Sequence, residues 1–192
     1  MRIIAGSKRG MKLFSPKTQD SRPVTDRVKE SLFSVLYKYD LPNGAIVADL
    51  FSGVGSLGLE ALSRKARFVT FVEQDPKIIS VLKRNIEKAD FVNESEIIRA
   101  NAFKFGGSPD PDRQMYDLVF VDPPYAASMD VQAGSHLSGL LDSLGTRVTE
   151  NAVIVVRTDR KVSLLEQYGE LRIIDRRRWG TMAVTILQKT NE

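Results

Sequence analysis

A chain of 192 residues is long enough to bury one α/β core and too short for two ordinary domains. The hydrophobic fraction of 42% and charged fraction of 27% suit a soluble globular protein, and no apolar run approaches a membrane span. The opening MRIIAGSKRG has no apolar signal core and cysteine is absent, so a disulfide framework and a cysteine-ligated metal are excluded; the cytoplasm is the expected compartment, with no membrane partner.

The net charge of +4 is unevenly spread. Residues 1–38 hold nine Lys and Arg against Asp20, Asp26 and Glu30, a surplus of six, and the remainder carries −2. A basic arm on a near-neutral body suits a polyanionic partner, since phosphate contacts supply most sequence-independent affinity for nucleic acid; a solvated basic surface is the alternative.

In chain order, RIIAGSKRGMKLFSP reads as a small hairpin turning at Lys8–Gly10. RPVTDRVKESLFSVLYKY reads as a helix, with Thr25 as cap and Val28, Leu32, Val35, Leu36 and Tyr39 on one face. From Ala45, β-branched runs alternate with helical patterns: strands at 45–51, 67–73, 95–100, 117–122 and 151–158, and helices near 57–64, 76–89 and 130–145. Asp75 and Pro76 suit the cap and first turn of the second of these helices. Residues 106–114 form a turn-rich loop. The last two strands, 171–179 and 181–188, are separated by little more than Gly180, which fits an antiparallel hairpin. The expected fold is therefore α/β and Rossmann-like: a mostly parallel seven-stranded sheet closed by an antiparallel C-terminal hairpin. This is the pattern of class I S-adenosylmethionine-dependent methyltransferases. Residues 1–40 form an N-terminal extension and 41–192 the catalytic domain.

ADLFSGVGSLGLEAL places Gly53, Gly55 and Gly58 in G-x-G-x-x-G spacing between a strand and a helix, where they let the backbone approach a ligand closely. NAD, FAD and S-adenosylmethionine all use such a loop. Asp49 at the strand end favours the last, since a carboxylate suits its cationic end and would repel a pyrophosphate. Phe51 and Ser52 belong to the same loop. Glu73 ends the second strand, where an acid can accept from both ribose hydroxyls, with Gln74 and Asp75 as the other candidates there. Asn101-Ala102, after the third strand, could meet the adenine edge, although Asn is also a common turn residue.

DLVFVDPPY puts Asp122, Pro123, Pro124 and Tyr125 at the carboxyl end of the fourth strand, which in a 3-2-1-4-5 sheet lies at the switch point where ligands bind. Methylating an amine whose lone pair is delocalised into a base ring requires two acceptors that hold it pyramidal. The Asp122 carboxylate or a nearby backbone carbonyl and the Pro123 carbonyl would serve, because Pro123 and Pro124, having no N–H, both expose carbonyl acceptors without a competing donor. Tyr125 would stack on the extruded base. Transfer would be direct, with no covalent intermediate and no metal. His136, the only histidine, reads as a surface or helix-start residue. Arg176, Arg177 and Arg178 read equally as a nucleic-acid contact or a charged guard on a sheet edge.

With these residues placed, the chain resembles the RsmD family, bacterial methyltransferases of a guanine N2 amino group in small-subunit ribosomal RNA. The resemblance rests on MRIIAGSKRGMKLFSP, SRPVTDRVKESLFSVL, DLFSGVGSLGLEAL, FVEQDP, DLVFVDPPY and RRRWGTMAVTIL, and runs nearly end to end. It implies that the segment from Arg22 to Arg27, including Thr25, covers the methionine end of the cofactor. It also implies that the hairpin of residues 1–14 contacts RNA; Arg2, Lys8, Arg9 and Lys12 of the hairpin, with Arg27 beyond it, are the expected contact residues. Asn101 stands where Asp is expected, and Trp179 where Tyr is expected. The implied partner is 16S ribosomal RNA, within a small-subunit assembly particle, met by a monomer. An adenine-N6 DNA methyltransferase and a non-catalytic ribosome-assembly module are the alternatives. The chain's compactness argues against the first, and its intact Asp49, Glu73 and Asp122 against the second.

Overall fold

A computed structural model describes residues 1–16, 25–105 and 115–190; the expected loop at 106–114 lies outside these. The chain divides into two compact units, Met1–Arg99 and Ala100–Glu192. Among the described residues no helix is long and apolar enough to cross a membrane.

In the first unit, β1 (Ile46–Leu50), β2 (Phe68–Glu73) and β3 (Ser95–Arg99) pair in parallel in the order β3-β2-β1. Val47, Leu50, Val69, Phe71 and Val72 are buried, as in a parallel sheet covered on both faces. Helix α1 (Asp26–Leu36) starts where the Thr25 hydroxyl accepts from Val28 N at 3.4 Å, as expected, and ends in a short 3-10 turn over Tyr37–Tyr39. Helix α2 (Ser56–Ser63) is buried almost all round. Helix α3 (Pro76–Ala89) follows the expected bounds, with the Asp75 carboxylate accepting from Lys77 N at 2.7 Å, and buries Ile79, Leu82 and Ile86.

The N-terminal hairpin turns at Lys8–Gly10 as expected, with Ile3 N donating to Met11 O at 3.0 Å, Gly10 N to Ile3 O at 2.9 Å and Leu13 N to Met1 O at 3.1 Å, but it is short, and Arg2 and Lys12 form its antiparallel bridge. It is nonetheless firmly seated: Ile3 and Leu13 are buried, and Ser7 N donates to Ser63 O at 2.8 Å. Gly6 makes that approach feasible. Its φ is +82°, and a Cβ there would fall 1.7 Å from the Ser63 carbonyl oxygen.

In the second unit, β4 (Tyr116–Val121) and β5 (Val148–Asp159) pair in parallel, and β8 (Met182–Lys189) pairs antiparallel with both β5 and β7 (Leu171–Trp179). The sheet is thus mixed, parallel apart from its C-terminal strands, as the sequence reading expects. Among the described residues the two units together hold one strand more than the seven expected: Gln167–Tyr168, β6, pairs with the start of β7. Two residues are too few to show a periodicity; what fixes them is the buried Tyr168 side chain, whose hydroxyl donates to Val131 O at 3.3 Å and accepts from Leu165 N at 3.0 Å. Helix α4 spans only His136–Leu144, not 130–145. Gly134 takes a φ of +85°, and the Ser135 hydroxyl then accepts from Ser138 N at 3.1 Å, a start signal stronger than the preceding residues' helical pattern. His136 is the exposed first residue of that helix.

Candidate active site

The glycine loop joins β1 to α2 in the first unit. Ser52 N donates to Val72 O at 3.1 Å and Gly55 N to Ser52 O at 2.8 Å, closing a tight turn in which Phe51 and Gly53 have φ of 59° and 54°. The three glycines do different things. A Cβ on Gly55 would lie 2.5 Å from Leu82 Cδ1, and one on Gly58 2.3 Å from the Phe71 ring, so both are required by core packing. A Cβ on Gly53 would meet nothing within 4 Å. Of the three, Gly53 is the one with open space beside it.

Two carboxylates flank this loop. Asp49 is only 2% exposed and accepts from Gly58 N at 2.9 Å, which ties the end of β1 to the first turn of α2. Glu73, at the end of β2, accepts from Gly53 N at 3.0 Å through one oxygen, and from Gln74 N and Asp75 N at 2.8 and 3.0 Å through the other. Backbone amides orient this carboxylate and attach it to the open glycine. An open backbone bend with two carboxylates on it suits a cationic ligand bearing a ribose, and is unsuited to a pyrophosphate. Arg22 lies outside the described residues.

In the second unit, Asn101 is exposed and accepts from Phe103 N at 3.0 Å, capping a 3-10 turn, and Ala102 is buried behind it. Beyond β4 the chain runs through Asp122 and Pro123 into a 3-10 turn over Tyr125–Ser128. The Pro124 carbonyl accepts from Ala127 N at 2.9 Å and Ser128 N at 3.0 Å. It is spent on that turn, which corrects the expectation that both prolines expose acceptors; Pro123 takes no part in it. Tyr125 is 53% exposed, although its carbonyl accepts from the Ser128 hydroxyl at 2.8 Å. Asp122 Oδ1 lies 2.5 Å from Arg157 Nε, and their side chains are 18% and 21% exposed. Burial pushes the Asp122 carboxyl above the usual aspartate range, and the Arg157 guanidinium pulls it back.

The basic arm is less uniform than its charge suggests. Arg9, Lys12 and Arg27 are exposed, Arg2 pairs with Asp26 at 2.7 Å on the surface, and Lys8 lies 5.5 Å from the Phe91 ring centroid. Lys29, counted among the surface bases, is wholly buried. Its ammonium donates to Arg2 O at 2.8 Å and Ser56 Oγ at 3.1 Å, and sits 3.4 Å from Glu60. Burial lowers its pKa, with Glu60 opposing.

Sequence reasoning passed over four further residues. Asn85 of α3 accepts from Phe14 N at 2.8 Å and donates to Phe14 O at 3.1 Å and Val54 O at 3.0 Å, linking the N-terminal segment to the glycine loop. Arg84 and Lys88 of the same helix lie 4.3 and 4.6 Å from the ring centroid of the partly exposed Phe14, adding cations beside the arm. The fourth is Arg157, a charge closing the apolar run Ala152–Val156, and that break is a signal the sequence does contain.

The family model described as conserved hypothetical protein 95 matches residues 1–188. A Bacillus subtilis protein, YlbH, is 33% identical over 98% of this chain and 99% of its own. The ribosomal RNA small subunit methyltransferase D of Haemophilus influenzae is 37% identical over 86% of this chain and 82% of its own. The solved structure of yhhF from Escherichia coli matches with a TM-score of 0.81 at 30% identity, covering 98% of this chain and 97% of that one.

Proposed function

The chain belongs to the conserved hypothetical protein 95 family, which is the RsmD family, and from that premise we propose that it transfers a methyl group from S-adenosylmethionine to the exocyclic N2 amino group of a guanine in 16S ribosomal RNA. It acts in the cytoplasm, as a monomer, on a small-subunit assembly particle, and yields S-adenosylhomocysteine. The observation that carries the reading is the tetrapeptide after β4: a carboxylate held by an ion pair, a proline carbonyl outside the following turn, and a half-exposed tyrosine ring.

When bound, S-adenosylmethionine supplies an electrophilic methyl group that the amine nitrogen takes in one displacement, with loss of one proton to water. The protein's own groups divide the rest of the work. Asp49 would take the ammonium of the methionine moiety, Glu73 the ribose hydroxyls, and Gly53 the close backbone approach. Asn101 and Ala102 would meet the adenine, while Arg22 and Thr25 cover the methionine end. Asp122 and the Pro123 carbonyl each accept one N–H of the target amine, which draws its lone pair out of the base ring. Tyr125 stacks on the extruded base, replacing stacking lost from the RNA. Arg9, Lys12 and Arg27 dock the phosphate backbone.

The test is incubation with methyl-labelled S-adenosylmethionine and small-subunit particles lacking the modification, followed by digestion to nucleosides. Labelled N2-methylguanosine is expected. Label only in other nucleosides of the particle RNA, label only in N6-methyl-2′-deoxyadenosine when DNA is offered in parallel, or cofactor binding with no transfer to any nucleic acid overturns the proposal.

A further inference from the structure

The structure assigns a role to Arg157, a residue the tetrapeptide motif does not include: it is a positioning residue that fixes Asp122 for the acceptor amine. Val121 of β4 stands opposite Val156 of β5, so Asp122 and Arg157 are the next residues along two parallel strands, a step at which in-register side chains emerge on the same face. Arg157 Nε donates to Asp122 Oδ1, and because the two groups carry opposite charges the contact is charge-assisted. No hydrogen bond among the described residues uses Oδ2, so the pair leaves that oxygen to accept an N–H.

The strand itself gives no reason for an arginine there. Ala152 to Val156 are all buried apolar residues, and a guanidinium only about one-fifth exposed bears a desolvation cost that a further valine would avoid. The cost makes sense against Asp122. A part-buried carboxylate left alone takes up a proton more readily and turns about its side-chain torsions, and either change spoils it as a fixed acceptor. Arg157 opposes both. Among the described residues it is the charged group that draws the Asp122 pKa down, against burial.

The inference rests on the proposed methyl transfer, and the experiment separates the two. In Arg157→Leu and Arg157→Gln, the Asp122 carboxyl is titrated by carbon NMR in the cofactor-free protein, and kcat is measured against pH. The Asp122 pKa should rise in both, and kcat at neutral pH should fall about a hundredfold, as for loss of one preorganised polar contact, with partial recovery at higher pH. Affinity for S-adenosylmethionine should stay at the wild-type value, and Arg157→Lys should restore the pKa more fully than the rate. An unshifted Asp122 titration, or a pH profile overlaying the wild type in a folded variant, overturns the role of Arg157. Wild-type protein that methylates no RNA counts instead against the proposed function.

Discussion

Lys29 and Glu60 face each other at 3.4 Å with both side chains wholly buried. The Glu60 carboxylate also receives Arg64 Nε at 2.8 Å, Ile4 N at 2.7 Å and Ala5 N at 3.0 Å. Glu60→Ala strands two cations and two amides in the interior and should cost about 3–5 kcal/mol. Lys29→Met leaves Glu60 its arginine and its amides, and should cost clearly less. Urea unfolding of both variants checks the order. Since burial depresses the Lys29 pKa, the folded state sheds this proton first as pH rises. The Lys29 contribution to stability should therefore grow between its folded pKa and the unfolded lysine value, and Lys29→Met should remove that pH dependence.

The glycine loop gives a second prediction. Gly58→Ala puts a methyl group 2.3 Å from the Phe71 ring and should lower stability by about 1–3 kcal/mol. Gly53→Ala meets no atom; it should cost only about 1–2 kcal/mol, for the left-handed φ of 54°, and weaken S-adenosylmethionine binding tenfold or more, ~1.4 kcal/mol. Thermal unfolding and titration calorimetry together check the division. Normal affinity in a folded Gly53→Ala protein would show that the ligand does not approach there.

Asp122→Ala should abolish transfer with cofactor affinity nearly intact, because this side chain acts on the amine. In the wild type, kcat should fall as pH drops through a pKa above the ordinary aspartate value of 3.8, where the carboxylate acceptor is lost. Asp122→Asn keeps an acceptor oxygen without the titration, so its residual activity should lack that acid limb. Steady-state rates on small-subunit particles from pH 5 to 9 supply the comparison (a range chosen around the neutral optimum of protein stability).

Docking should depend on the exposed cations of the arm. Replacing Arg9, Lys12 and Arg27 with Gln should weaken RNA binding across sequences and flatten the salt dependence by roughly 0.7–0.9 per lost phosphate contact, without changing cofactor affinity. Arg2→Gln alone should do less, since Asp26 already neutralises it. Filter binding at several salt concentrations measures the slope. An unchanged slope in the folded triple variant would move the docking surface to Arg176–Arg178.

What the sequence made legible was whatever a few adjacent residues determine. Asp75-Pro76 announces α3 because cap and first turn are local chemistry, and the Asp122–Tyr125 motif marks the proposed acceptor site because its residues are contiguous. Partnerships across the fold were not legible. Lys29 reads as one more surface base until Glu60 is placed against it, and the Pro124 carbonyl reads as an acceptor until the 3-10 turn consumes it. The spacing of Gly53, Gly55 and Gly58 is plain in the sequence, but which of them faces a ligand depends on Leu82 and Phe71, side chains beyond the motif.

The seating of the N-terminal segment has a consequence for how the chain is made. The Ile4 and Ala5 amides bond a carboxylate 56 and 55 residues later, and Phe14 bonds an amide 71 residues later. During synthesis this stretch emerges ahead of α2 and α3 and therefore waits, unpaired, until both have followed it. Closing loops of that length is slow compared with forming a helix turn. The segment read as the RNA-docking arm should accordingly be among the last parts of its unit to lock, and pulse-labelled hydrogen exchange during refolding should find the amides of residues 3–14 protected after those of α3.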